Sequence, residues 1–381
     1  MWSRTQYRGI DDVGNRGAVK HIVVLEGDGI GPEIISQAMQ VLDLMRRSGV
    51  DMEIEEGLVG AAAYEHLGQP YPQMTQKMVG RADAVLFGCV GDARLDHLGP
   101  LRPDMAIGAL RRQLSLYASL RPIRIPREMT QLSPLRHEIV ADVDLTLVRE
   151  LGGDVYFGTP RGQRSAPDGP FVGQAEGYDT MRYAEGEVER VLRLAFELAL
   201  VRRKCLVSVD KANILETSRL WRQVAIEVGG AFPAVESRHL YADNVAMQLI
   251  TNPRQFDVIV TGNLFGDILS DIATVLGGSV GLFGACMLGG TGCTLYEPGH
   301  GSALDIAGQD RANPIAAIRC VGLMMAHTFG RADLGDLIEG AVVDVLRRGL
   351  RTAEIHRGEG TLVGTAAMGR AIVGTLEGML A

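Results

Sequence analysis

Cysteine is scarce and unpatterned: Cys89, Cys205, Cys286, Cys293 and Cys320 are the only five in 381 residues, and none forms a CxxC pair. An odd count without paired spacing excludes a disulfide framework and a zinc site as first readings. A reducing setting, the cytoplasm, is expected. No apolar run approaches the roughly 20 residues of a membrane span. Basic residues are outnumbered, 38 against 46 acidic ones, for a formal net charge of −8. That balance gives no pull toward nucleic acid or an anionic membrane, although it leaves a local basic pocket open. Internal repeats and low-complexity linkers are also missing. Residues 1–18 lack the apolar h-region of a signal peptide, and Asp11 and Asp12 count against a targeting sequence, so residues 1–19 are read as a flexible arm.

What is present is ordinary for a globular enzyme, with 46% hydrophobic and 22% charged residues. The length allows two domains or one large one. Strands and helices alternate with short links, which indicates an α/β architecture with a largely parallel sheet. His21–Leu25 reads as a strand, Glu26–Pro32 as a glycine turn, and Glu33–Met45 as a helix. The third glycine of a G-x-G-x-x-G fingerprint would fall at Pro32, so this is not a Rossmann phosphate loop. Further strands are expected at Val50–Glu55, Ala84–Phe87, Val143–Leu147, Asp154–Gly158 and Cys205–Val209. Ile107–Leu116, Glu185–Arg203, Ser218–Val228 and Ala242–Ile250 read as helices, and three more close the chain. Thr159–Gly177 is a long loop or hairpin arm, and Leu295–Ser302 is a loop.

The richest stretch is Phe256–Val275. Val258-Ile259-Val260 is a strand running into the turn Thr261-Gly262-Asn263, followed by a helix. On that helix Asp267 and Asp271 are four residues apart and share a face. Two like charges so placed destabilise a helix; a hard divalent cation such as Mg²⁺ or Mn²⁺ would reward them. The plain alternative is a pair of solvated surface acids. Arg111, Arg121 and Arg149 lie at or near element ends, and guanidinium forks suit carboxylates; singly, each reads as surface. Tyr156 is either a half-buried strand tyrosine or a proton donor. Lys211 ends an apolar strand beside Asp210 and is either a loop lysine or a base. Asp243 is a helix cap or a third carboxylate for the metal, while Met247, Leu249 and Ile250 near it read as core. His300, between two glycines, could contact a ligand.

Six motifs then occur in one order: Leu110-Arg111-Arg112 through Arg121-Pro122, Val148-Arg149-Glu150-Leu151-Gly152-Gly153-Asp154-Val155-Tyr156, Ser208-Val209-Asp210-Lys211-Ala212-Asn213, Tyr241-Ala242-Asp243-Asn244, Gly262-Asn263-Leu264-Phe265-Gly266-Asp267 with Asp271, and His300-Gly301-Ser302-Ala303-Leu304-Asp305-Ile306-Ala307-Gly308. From Lys20 onward the chain resembles the isocitrate/isopropylmalate family of metal-dependent β-decarboxylating dehydrogenases. The resemblance implies two α/β domains sharing a continuous mixed sheet, not a Rossmann fold. Residues 20–117 and 278–381 would form a discontinuous cofactor-side domain, and 118–277 the domain of dimerisation, metal and catalysis. It implies a homodimer whose sites borrow Lys211 and Asp243 from the neighbouring subunit.

The implied chemistry is NAD-linked oxidative decarboxylation of a 2-hydroxy dicarboxylate. Mg²⁺ or Mn²⁺ would sit on Asp243, Asp267 and Asp271. Arg111, Arg121 and Arg149 would hold carboxylates, with Asp243, Ile107 and Gly108 also at the substrate. Lys211 would take the hydroxyl proton and Tyr156 would return one to carbon. Cofactor contacts are implied for Gly91, Asp104, Glu297, His300, Gly301, Ser302, Ala303, Asp305, Ile306 and Asn313. Three departures stand out: Leu304 replaces a proline of the family pattern, Gly108 and Ile107 stand where isopropylmalate enzymes have two leucines, and Met105 and Ile107 where isocitrate enzymes have Ser and Asn. Homoisocitrate enzymes carry an arginine at the place of Gly108. The reading is therefore a 3-isopropylmalate type substrate with an altered, apolar pocket. The alternatives are a benzyl- or longer alkylmalate, tartrate, malate or isocitrate, or a non-catalytic regulatory subunit.

Overall fold

The structure, a computed structural model, describes residues 19–381; the expected N-terminal arm lies, but for Val19, outside the described residues. The first stretch runs β1 (Lys20–Gly27), α1 (Gly31–Arg47), β2 (Met52–Glu56), α2 (Gly60–Leu67), α3 (Gln73–Val79), β3 (Ala84–Cys89) and α4 (Met105–Gln113). The middle holds β4 (Leu116–Ile125), α5 (His137–Val140), β5 (Val143–Glu150), β6 (Gly162–Ser165), β7 (Ala175–Tyr178), α6 (Glu185–Val201), β8 (Cys205–Asp210), α7 (Glu216–Gly230), β9 (Glu236–Tyr241), α8 (Ala242–Thr251), β10 (Val258–Thr261) and α9 (Asn263–Val275). The chain ends with β11 (Gly284–Gly289), β12 (Thr294–Pro298), α10 (Ile315–His327), α11 (Ala332–Arg347), β13 (Leu350–Arg351), β14 (Thr361–Leu362) and α12 (Thr365–Leu380).

Ten strands form one sheet in the order β2-β1-β3-β12-β11-β4-β5-β10-β8-β9. Both ends of the sheet are parallel, and the strands around β11, β4 and β5 are antiparallel. The sheet is thus mixed, as the resemblance implied. A domain division at 117/118 and 277/278 is a proposal that would cut it at the β11–β4 seam. The inner parallel strands β3, β8 and β10 are buried on both faces, as parallel strands usually are. In β1, Ile22 and Val24 join the large core, while Val23 and Leu25 join a smaller one on the opposite face.

Several expectations need correction. Asp154–Gly158 is not strand: Asp154 has φ +72° and its carboxylate accepts from Val155 N at 2.7 Å, which turns the chain. Residues 295–298 of the expected loop are strand β12, and the glycine-rich run before it contains β11. The stretch beyond the arginine helix is β4, although it contains Pro122. That proline is tolerated because the register with β11 ends at Leu120, so no partner there needs its missing N–H. Of Met247, Leu249 and Ile250, only Leu249 is core. Helix α8 buries Ala242, Val245 and Leu249 on one side and leaves Met247 59% and Ile250 45% exposed on the other. The expected arm after Thr159, by contrast, agrees with the structure: it is the antiparallel hairpin β6–β7.

Candidate active site

Helix α9 follows β10 directly, so its first two turns stand at the C-terminal edge of the sheet, where α/β folds place ligands. Asp267 and Asp271 project from it toward the adjacent strands β4 and β5. Arg149, at the end of β5, reaches Asp267 with Nη1 and donates from Nε to Asn263 Oδ1 at 2.9 Å. Arg121, on β4, donates to Asp271 Oδ1 at 3.0 Å. A side chain at Gly266 would collide with Arg149, its Cβ falling 2.7 Å from Cγ, so the glycine lets the arginine cross the helix. The Tyr156 hydroxyl donates to Asp267 Oδ2 at 2.6 Å.

The electrostatics follow from these contacts. Burial alone would raise the Asp267 carboxyl, but Arg149, the Tyr156 hydroxyl and Arg121 outweigh it and hold it below the usual range. Burial and the bond to Asp267 push Tyr156 up, so it is a neutral phenol. Arg111, on α4, meets Glu297 of β12 at 3.3 Å. Among the described residues the buried Nε atoms of Arg111 and Arg121 have no partner, which leaves donors to spare for an anion.

Lys211 and Asp243 pair with each other at 2.6 Å beside the Tyr241 ring. The Lys211 ammonium holds the Asp243 carboxyl below its usual range. Among the described residues no hydrogen bond or ion pair joins this pair to Asp267 or Asp271, and no group of three His, Cys, Asp or Glu is disposed to hold a metal ion. Contacts therefore join Arg121, Arg149 and Tyr156 to Asp267 and Asp271 on α9, while Lys211 pairs with Asp243 and Arg111 with Glu297. Ile107 is half-buried against the smaller core. Around Gly108 a Cβ would meet only Arg112 Nη1, at 3.6 Å, so the place of its side chain is open.

The loop from Gly299 to Gly308 is fastened to the β1–α1 turn and to the end of β3. Ile30 N donates to Ser302 O at 2.9 Å, and Ser302 Oγ donates to Gly91 O at 2.7 Å. A Cβ at Gly29 would lie 1.9 Å from Ser302 O. Asp104 comes close to Gly91, with Oδ1 2.6 Å from the place of its Cβ. His300 Nδ1 contacts Gly301 O at 3.0 Å; a carbonyl only accepts, so Nδ1 carries the proton and Nε2 is a buried acceptor without a partner among the described residues. Burial also pushes this imidazole down, keeping it neutral. Glu33 binds Gly308 N and closes the loop's far end; Ala303 and Ile306 pack against the large core, and Asp305 stays exposed. The side chain of Asn313 is committed, to Glu354 at 2.9 Å and to Ile315 N at 3.1 Å.

Three residues at the site escaped the sequence reading: Asn263, Asp154 and Tyr183. The asparagine directly after a glycine at a strand-to-helix turn was the one local signal; the other two act across 80 or more residues of chain.

The isocitrate/isopropylmalate dehydrogenase family model matches residues 21–372. Curated relatives include 3-isopropylmalate dehydrogenases of Bordetella avium, 52% identical, and Burkholderia lata, 51%; each match covers 93% of this chain and 99% of the relative. The isocitrate dehydrogenase of Methylococcus capsulatus superposes with a TM-score of 0.81 at 32% identity, over 94% of this chain and 99% of that one. A β-decarboxylating dehydrogenase of Thermococcus kodakarensis, in its apo form, gives 0.76 at 32% identity, over 95% and 97%. Sequence, fold and the geometry around α9 agree: the chain belongs to the isocitrate/isopropylmalate family of β-decarboxylating dehydrogenases.

Proposed function

We propose that the protein is a metal-dependent, NAD-linked dehydrogenase that oxidatively decarboxylates a 3-substituted malate of the 3-isopropylmalate type to a 2-oxo acid. The observation that carries this is the meeting of Arg121 and Arg149 with Asp271 and Asp267, with Tyr156 on the same carboxylate. Guanidinium groups with unspent buried donors suit a dicarboxylate. The relatives named 3-isopropylmalate dehydrogenase support the substrate class.

Two carboxylates on one helix face are a hard-oxygen donor pair and fit Mg²⁺ or Mn²⁺, with Asp243 as the third ligand. When bound, such a cation acts as a Lewis acid on the substrate's oxygens. NAD would lie along the Gly299–Gly308 loop, where Gly301 leaves the place of a side chain open and His300 Nε2 has no partner among the described residues, and would supply the hydride acceptor. The remaining steps belong to the chain. Arg111, Arg121 and Arg149 orient the diacid through its carboxylates. Lys211 takes the 2-hydroxyl proton as the hydride leaves. After carbon dioxide departs, the neutral Tyr156 hydroxyl gives a proton to C3.

Lys211 and Asp243 would enter the site from a second copy. Exposed Ile268 and Val275 on α9, with Met247 and Ile250 on α8, offer the apolar surface for that homodimer. Five free cysteines suit a cytoplasmic enzyme; among the described residues no helix is long and apolar enough to cross a membrane.

The opening at Gly108 favours a second reading of the substrate, with a benzyl or longer alkyl group at C3. The test is NADH formation, with Mn²⁺ present, from 3-isopropylmalate, 3-benzylmalate, malate, tartrate and isocitrate. The proposal expects the 3-alkyl or 3-benzyl compounds to lead; a clear preference for isocitrate or tartrate would overturn the substrate class.

A further inference from the structure

Helix α9 carries both metal-facing carboxylates, yet it begins without a cap of its own. Its N-cap is Gly262, which has no side chain to accept from the first-turn N–H groups. Orphan donors at a helix start must find partners, and here they find them far away in sequence. Asn263 N donates to the Tyr183 hydroxyl at 2.8 Å. Leu264 N donates to Asp154 Oδ2 at 3.1 Å. The Tyr183 hydroxyl then donates to the same Asp154 oxygen at 3.3 Å, closing the cap. Burial and the neighbouring carboxylates Glu150 and Asp154 push Tyr183 far up, so its hydroxyl keeps the proton this arrangement needs.

Asp154 does more than cap. It is 1% exposed, and its other oxygen accepts from Val155 N at 2.7 Å, while its own carbonyl accepts from Gly158 N at 3.1 Å. The turn it shapes carries Tyr156. One carboxylate therefore fixes both the start of α9, one turn before Asp267, and the backbone just before Tyr156. Asn263, held by its N–H in this cap, also grips Arg149 Nε with its side chain.

We propose that Asp154 and Tyr183 are positioning residues for the reaction: they form a cap supplied from outside α9 that sets Tyr156 and Asp267 in register with each other. Neither touches substrate; they act through the 2.6 Å contact between Tyr156 and Asp267. The inference rests on the functional reading above for its kinetic readout.

The test uses full-length Tyr183→Phe, Asp154→Ala and Asp154→Asn. Phenylalanine keeps the ring, which stands edge-on to Trp221 with centroids 5.7 Å apart, and deletes only the hydroxyl. Two readouts are taken: kcat and KM on the diacid that the wild type oxidises best, and Mn²⁺ affinity without substrate, by electron paramagnetic resonance titration. For Tyr183→Phe, kcat is expected to fall about tenfold with KM within about twofold, because the loss lies in the reacting geometry rather than in the arginine grip. Mn²⁺ affinity falls severalfold. Asp154→Ala loses more, and Asp154→Asn, which still offers an acceptor to Leu264 N, recovers much of it. Folded variants with lower melting temperatures but unchanged kcat and Mn²⁺ affinity would overturn the proposal, as would an asparagine variant no better than alanine. A wild type that binds Mn²⁺ yet oxidises no diacid would sink the functional reading alone, and the Mn²⁺ titration of the variants would still decide this one.

Discussion

Arg121 of β4 and Asp271 of α9 meet at 3.0 Å, 150 residues apart in sequence. Arg149 and Asp267 repeat the relationship one turn earlier on the helix. In each pair a carboxylate suited to a cation is held by a guanidinium suited to a substrate carboxylate. Binding of metal and diacid together would exchange partners: the aspartates turn to the cation, the arginines to the anion.

Asp267→Asn tests that exchange. The amide nearly keeps the shape and removes the charge that Tyr156 meets and the proposed cation would use. Activity is expected to fall by about a hundredfold or more, with partial recovery at high Mn²⁺ at most. Undiminished wild-type activity in excess chelator would refute the metal's role.

The proposed sharing of one site between two subunits gives a second test. Arg111→Ala and Lys211→Ala proteins, each inactive, are mixed and allowed to exchange subunits. If the proposed sharing holds, each heterodimer regains one intact site, because the two residues would reach it from different chains. A mixture that stays dead despite measured exchange counts against sharing.

Asp305 lies exposed in the loop that the proposed NAD would follow. Its carboxylate can accept from ribose hydroxyls and repels a 2′-phosphate. The expected result is a kcat/KM for NAD at least about tenfold above that for NADP, narrowed by Asp305→Lys. Equal values for the two cofactors in the wild type would contradict it.

Much of this site was legible because its chemistry sits in short local patterns. Asp267 and Asp271 share a helix face by spacing alone, and Arg121, Arg149 and Tyr156 stand in compact motifs. Strands β4 and β11 were hidden by Pro122 and by a run of glycines, whose cost is absorbed by neighbours in a sheet that no local window sees. Edge strand β9 shows mostly exposed or half-buried positions and so no alternation. Met247 and Ile250 looked like core because a sequence shows that a residue is apolar, not what covers it. The cap from Asp154 and Tyr183 was invisible for the same reason, since it exists only once β5, α6 and α9 are packed together.

Gly108 gives the sharpest test of specificity. A Cβ there meets only Arg112 Nη1, at 3.6 Å, so the backbone accepts a side chain and Gly108→Leu should fold. Each methylene left unpacked forfeits about 0.8 kcal/mol, so a larger 3-substituent gains what isopropyl cannot reach. Across a series of 3-alkylmalates the wild type should accept large groups, and the leucine variant should lose them while keeping isopropylmalate. A wild type that prefers isopropylmalate over every larger homologue would show that flexible Met105, nearby on α4, or another neighbour refills the space.

Oxidative decarboxylation of a 3-substituted malate is tested by following NADH and carbon dioxide together. With Mn²⁺, NAD and the best 3-substituted malate, the account predicts both products in equal amounts and the loss of both on chelation. NADH without carbon dioxide, or no NADH from any 3-substituted malate at saturating Mn²⁺, would contradict it.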